Sequence, residues 1–114
     1  MNVAVVGSRD FEDYAKFAKE IDNLPIKVDR FISGGCPTGA DKFIENYCDE
    51  HEIPMIIHNP DWKKYGRAAG PIRNKKIVED ADYLVAFWDG KSPGTKSSIE
   101  FARKKGITVL IISI

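Results

Sequence analysis

Long apolar stretches are missing from this 114-residue chain. None approaches the roughly 20 residues needed to cross a bilayer, so no membrane partner is expected. No basic segment precedes the first apolar run, which begins at Val3, and no signal peptide is expected. Excess charge of either sign is also absent. The 17 basic and 17 acidic side chains cancel, leaving no overall field to recruit nucleic acid. Cysteine is scarce: Cys36 and Cys48 form no CxxC pair, and His51 and His58 complete no zinc pattern. No metal and no resident cofactor are therefore expected, and a reducing cytoplasm is the simplest compartment. The dinucleotide fingerprint GxGxxG is absent after the first apolar run, where only Gly7 stands. Two stretches come near a Walker loop and miss. Gly34 and Gly39 have its spacing, but Ala40-Asp41 follow where Lys and Ser/Thr belong; after Gly90, Thr95 replaces the second glycine.

What is present reads as one domain over residues 1–114, with a hydrophobic fraction of 43% and a charged fraction of 30%. A chain of this length buries roughly two thirds of its unfolded surface without staples. Val3–Val6, Val28–Ile32, Pro54–Ile57, Tyr83–Trp88 and Ile107–Ile112 read as five strands. Continuous apolar runs of this kind suit a sheet covered on both faces. Between them lie helical patterns: Tyr14, Phe17, Ala18 and Ile21, with Asp10 or Asp13 as cap; then Ala40, Phe43, Ile44, Tyr47 and Cys48. A third helix begins at Gly70-Pro71 with a thin apolar face of Ile72, Ile77 and Val78, and a fourth runs from Thr95 to Lys105. His58 to Gly70 is the least regular segment. The alternation predicts an α/β, Rossmann-like domain with a five-stranded, mostly parallel sheet and helices on both faces.

In such a fold, ligands bind at loops leaving the C-terminal ends of the strands. Here those loops are Gly7-Ser8-Arg9, Ser33 to Asp41, His58 to Gly70, and Asp89 to Thr95. Ser33-Gly34-Gly35-Cys36-Pro37-Thr38-Gly39-Ala40-Asp41 reads either as a tight packing turn or as an anion cradle at a helix N-terminus. Pro37 and Thr38 look like a helix opening, with Thr38 and Asp41 as a capping pair. Arg73 falls in the first turn of its helix, where a cation opposes the macrodipole unless an anion shares the site. Arg67, flanked by glycine, is a second candidate for phosphate. Lys63, Lys64, Lys75 and Lys76 read as a solvated face, or alternatively as a single-stranded nucleic-acid surface, against which the zero net charge argues. Arg9 can reach the same edge or pair with Asp10 or Asp13. Trp88 can stack on a base or fill the core, as can Trp62 and Tyr65. Cys36 has no base assigned to it by spacing, and Asp41 and Glu100 are the only, weak, catalytic candidates.

Several segments together resemble one family. They are Val5-Val6-Gly7-Ser8-Arg9-Asp10-Phe11, Ser33-Gly34-Gly35 with Gly39-Ala40-Asp41, Gly66-Arg67-Ala68-Ala69-Gly70-Pro71-Ile72-Arg73-Asn74, and Ala86-Phe87-Trp88-Asp89-Gly90 with Gly94-Thr95. The chain resembles the YspA-like, YpsA-related branch of the SLOG superfamily over nearly its whole length. The resemblance implies a Rossmann-like domain that binds a nucleotide or nucleotide-derived ligand at the strand C-terminal edge. Relatives include LOG phosphoribohydrolases, DNA-processing protein A domains and sensors of nucleotide signals, and a homodimer or higher homo-oligomer is implied with them. LOG enzymes carry GGxGTxxE, and Ser98 stands here where that Glu would fall. The expected function is a sensor or sequestering module for a small nucleotide ligand, with hydrolysis of an N-glycosidic bond as the alternative. The expected ligand-binding residues are Gly7, Ser8, Arg9, Ser33, Gly34, Gly35, Thr38, Gly39, Asp41, Arg67, Gly70, Pro71, Arg73, Asn74, Trp88, Gly94, Thr95 and Lys96. Among them, Gly34, Gly35 and Gly94-Thr95 would offer N–H groups to phosphate, Arg67 and Arg73 its countercharge, and Asp41 a contact to a sugar hydroxyl.

Overall fold

Five strands alternate with helices in the computed structural model, which describes residues 1–114. The strands are β1 (Asn2–Gly7), β2 (Arg30–Ser33), β3 (Met55–Ile57), β4 (Tyr83–Trp88) and β5 (Thr108–Ser113). They form one sheet in the order β3-β2-β1-β4-β5, and every neighbouring pair is parallel. The mostly parallel sheet expected from sequence is thus wholly parallel. The helices are α1 (Tyr14–Asp22), α2 (Gly39–His51), the short α3 (Trp62–Tyr65), α4 (Ala69–Glu79) and α5 (Pro93–Lys105), with a 3-10 turn at Gly66–Ala68.

Side-chain alternation along the strands divides the core between the two faces. Val3, Val5, Phe31, Val85 and Phe87 pack towards α1 and α2, meeting Phe17, Ile21, Ile44 and Tyr47. Ala4, Val6, Ile32, Leu84 and Ala86 pack towards α4 and α5, meeting Ile77, Val78, Ile99 and Ala102. The first face is built around aromatics, with Phe17 4.8 Å from Phe87 and Phe11 5.5 Å from it, centroid to centroid. The buried residues of the second face are all aliphatic, with Ala4, Ala81, Ala86 and Ala102 among them.

Four local expectations change. The segment from His58 to Gly70 contains α3, because the Asp61 carboxylate accepts the Lys64 N–H at 3.1 Å and caps a single turn. Helix α5 begins at Pro93 rather than Thr95, with proline in the first turn, where its missing N–H is not needed. Thr38 is the N-cap residue of α2, but its side chain makes no capping bond, and Pro37 lies outside the helix. The Asp41 carboxylate instead reaches back to accept the Cys36 N–H at 3.0 Å, closing the glycine loop on itself. Of the expected caps for α1, it is Asp13 that bonds, accepting the Lys16 N–H at 3.0 Å.

Candidate functional site

Strands β1 and β4 lie side by side at the centre of the sheet, and the chain leaves them on opposite sides. Their C-terminal ends therefore diverge into loops that turn apart, the arrangement that opens a crevice in doubly wound sheets. A cavity of about 430 Å³ lies there. One wall is the β1–α1 loop, with Gly7, Ser8, Arg9 and Asp10. A second is the glycine loop, represented by Gly34, Cys36 and Asp41, and a third is the start of α5 from Ser92 to Thr95 with Ser98. Arg73, Asn74 and Ile77 of α4 contribute the remainder together with Val6, Asp89 and Lys91. The wall is strongly polar, with three cations (Arg9, Arg73, Lys91) and three acids (Asp10, Asp41, Asp89).

The start of α5 is held open towards the cavity by the turn before it. The Asp89 carboxylate accepts the N–H groups of Lys91 and Ser92, both at 2.8 Å. Those two bonds hold its pKa below the ordinary value. Ser92 is the N-cap residue, yet its side chain bonds no backbone N–H of the helix. The amides of Gly94 and Thr95 are consequently free of protein partners at an end that carries partial positive charge. The fold has no steric need for glycine at position 94: a Cβ there would meet nothing within 4 Å. Ser98 is buried, lines the cavity and donates to the Gly94 carbonyl at 3.4 Å.

Asp41 is about nine-tenths buried. Burial pushes its carboxyl above the ordinary value, while the Cys36 N–H and the Arg73 charge pull it part of the way back. Beside it stands the fully buried Ser33 hydroxyl, close enough to favour the charged form but without a completed hydrogen bond. The Ser8 hydroxyl, also buried and on the cavity wall, lies near enough to the Asp89 carboxylate to favour its charge but completes no hydrogen bond either. An unpaired buried hydroxyl costs about 1–3 kcal/mol. Its presence on a cavity wall is the mark of a group that waits for a partner.

The remaining expected residues divide. Gly7, Ser8, Arg9, Gly34, Asp41, Arg73, Asn74, Gly94 and Thr95 line this cavity. Thr38 and Gly39 lie instead on an adjoining recess with Phe11, Lys42 and Phe43, which shares Arg9 and Asp10 with the first. Gly35 packs its backbone against Asn59 and Ile57. Arg67, Pro71 and Lys96 are exposed and Gly70 lies near Trp62, all outside the cavity lining. Trp88 is half-buried against the α4–α5 face, where its indole N–H donates to the Ser92 carbonyl at 3.1 Å. Glu100 is exposed and also lies outside the lining. Sequence reasoning passed over Asp10, Cys36, Lys91, Ser92 and Ser98 as ligand-site residues. The available signal was their position in, or one helical turn beyond, the loops at the strand ends. Neither the cavity nor the rest of the chain brings together a cluster of His, Cys, Asp or Glu suited to a metal ion, and no helix is long and apolar enough to cross a membrane.

A family model described as YspA, cpYpsA-related SLOG matches residues 1–65, more than half of the chain. The chain belongs to the SLOG family of YspA- and cpYpsA-related proteins. Family membership suggests a nucleotide-related function. The chain is also similar to the "Gene 61 protein" of Mycobacterium phage D29, with 29% identity over 118 residues, covering 95% of this chain and 93% of that one. The matched part of this SLOG chain carries the walls at Gly7–Asp10 and Gly34–Asp41. The α4 and α5 walls come from residues beyond it.

Proposed function

We propose that this SLOG protein binds a nucleotide or nucleotide-derived ligand in the crevice between β1 and β4, as a sensor or sequestering module. The observation that carries the reading is the open N-terminus of α5. Its unpaired Gly94 and Thr95 amides face a cavity whose wall also holds the unpartnered Ser8 hydroxyl. A phosphate group satisfies all three donors at once. Arg73, Arg9 and Lys91 supply countercharge, and Asp41 accepts from, or donates to, a sugar hydroxyl. Cations and acids are equal in number on the wall, which suits a ligand of low charge bearing hydroxyls better than a bare polyphosphate.

Isothermal titration with nucleoside monophosphates, ADP-ribose and cyclic nucleotides tests the reading. At least one of these should bind, and Gly94→Ala should weaken it at least tenfold without lowering the melting temperature. The added methyl would stand in the space the phosphate needs, while nothing in the protein opposes it. No heat across the panel, or unchanged binding in Gly94→Ala, would refute it. A second reading, cleavage of the N-glycosidic bond, is supported by Asp41, whose raised pKa suits proton donation to a departing base. Chromatography of the same incubations distinguishes the two: free base that appears with the wild type and not with Asp41→Asn indicates turnover.

A further inference from the structure

A continuous set of side-chain bonds runs behind the cavity from its glycine-loop wall to its α5 wall. Arg73 Nη1 donates to the Gly34 carbonyl at 2.6 Å. Arg73 Nε donates to Asn74 Oδ1 at 2.8 Å, and Asn74 Nδ2 donates to the Gly94 carbonyl at 3.3 Å. Asn74 is 7% exposed. One arginine and one asparagine, adjacent on α4, thus touch both walls, which otherwise belong to separate strand–helix crossovers.

The space for this contact depends on a glycine. A Cβ at position 34 would come within 2.6 Å of Arg73 Nη1 and 3.0 Å of its Cζ. Gly34 does not have a left-handed backbone, so alanine there is unstrained in itself. What alanine displaces is the guanidinium. Arg73 Nη2 makes no hydrogen bond within the protein, so the side chain can hold both Gly34 and Asn74 on the cavity wall and still keep two N–H groups unengaged. Lysine cannot do this, because a single ammonium lacks the fork that reaches Gly34 and Asn74 together.

We propose that Arg73 and Asn74 form a clasp that sets the spacing between the glycine loop and the N-terminus of α5. On this view both act as positioning residues, and Gly34 is glycine to admit the arginine. The consequence for ligand binding rests on the reading given under Proposed function, but the clasp itself can be tested without ligand. In amide nitrogen–proton correlation spectra of the free protein, Gly34→Ala should shift the Gly94, Thr95 and Lys96 amides across the cavity. Arg73→Lys, which keeps the charge, should shift the same three. Adding Gly34→Ala to Arg73→Ala should change them no further, since residues acting through one contact are non-additive. Shifts confined to the neighbourhood of residues 33–36, or additive shifts in the double variant, would overturn the clasp. Titration with AMP and ADP-ribose then separates the two claims. If wild type binds, each single variant should lose at least fivefold in affinity and the double variant no more than the worse single. If neither probe nor any other member of the nucleotide panel binds to wild type, the ligand reading fails while the amide shifts still decide the clasp.

Discussion

Asp41 shows how one carboxyl can be both an anchor and a liability. Its oxygen closes the glycine loop by accepting the Cys36 N–H, yet burial raises its pKa above the ordinary 3.8. Between the ordinary value and the raised one, the folded chain holds the proton more tightly than the unfolded chain. Stability from this group is therefore present at low pH and falls as pH rises through that window. Asn keeps an acceptor for the Cys36 N–H and never ionises. Asp41→Asn should therefore melt at a higher temperature than wild type at pH 7.5, with the difference shrinking towards pH 4. Melting curves between pH 4 and pH 8 check this; parallel profiles would show that Asp41 ionises without cost. Sequence made Asp41 conspicuous as an acid three residues past Thr38, and spacing suggested a cap. It could not show that the Thr38 side chain makes no capping bond, because that depends on where the loop places Cys36.

At the level of elements, polar contacts hold what apolar burial does not. Helix α4 buries only Ala69, Asn74, Ile77 and Val78, and its C-terminal region is held by a residue of a different helix. Lys105 Nζ donates to the carbonyls of Val78, Glu79 and Ala81 at 3.0, 2.7 and 2.8 Å. Arg103, Lys104 and Lys105 all suit the negative end of their own helix in sequence, but Lys105 serves the end of α4. Lys105→Met keeps the aliphatic stem and removes the donors. It should cost about 1.5–3 kcal/mol, the range for hydrogen bonds to a charged group, read as a lower urea midpoint with unchanged slope. The strands and the long helices were legible because each carries its own periodicity. The thin apolar face of α4 was legible too, but its partners, Lys105 and the Gly34 and Gly94 carbonyls, lie on other elements at distances no spacing rule covers.

For the whole molecule, the alternation of strands and helices was enough to indicate a parallel sheet with ligand loops on one edge. The order β3-β2-β1-β4-β5 was not written in any single segment, because it depends on which side of β1 the chain returns to after α4. That choice puts the Gly7–Asp10 and Asp89–Thr95 loops on one crevice and leaves Arg67 outside it. Since the crevice is walled by loops from both halves of the chain, a ligand there stabilises the whole fold by mass action. At one hundred times its dissociation constant, a ligand adds about 2.7 kcal/mol. For a domain of this size that corresponds to a rise in melting temperature on the order of 10 °C. A bound nucleotide that leaves the melting temperature unchanged would have to sit elsewhere or bind the unfolded chain equally well.

The central pairing of β1 with β4 also governs how the chain can fold as it is made. Val3 lies opposite Tyr83 and Val5 opposite Val85, so one side of the first strand has no partner until most of the chain has left the ribosome. Until then Val3–Val6 is an apolar edge that other chains could pair with. Contacts this distant in sequence also slow folding, because the intervening loop must close before they form. The crevice therefore cannot assemble before β4 and α5 have both been made. It exists only once α5, near the end of the chain, has docked beside a strand made at its beginning.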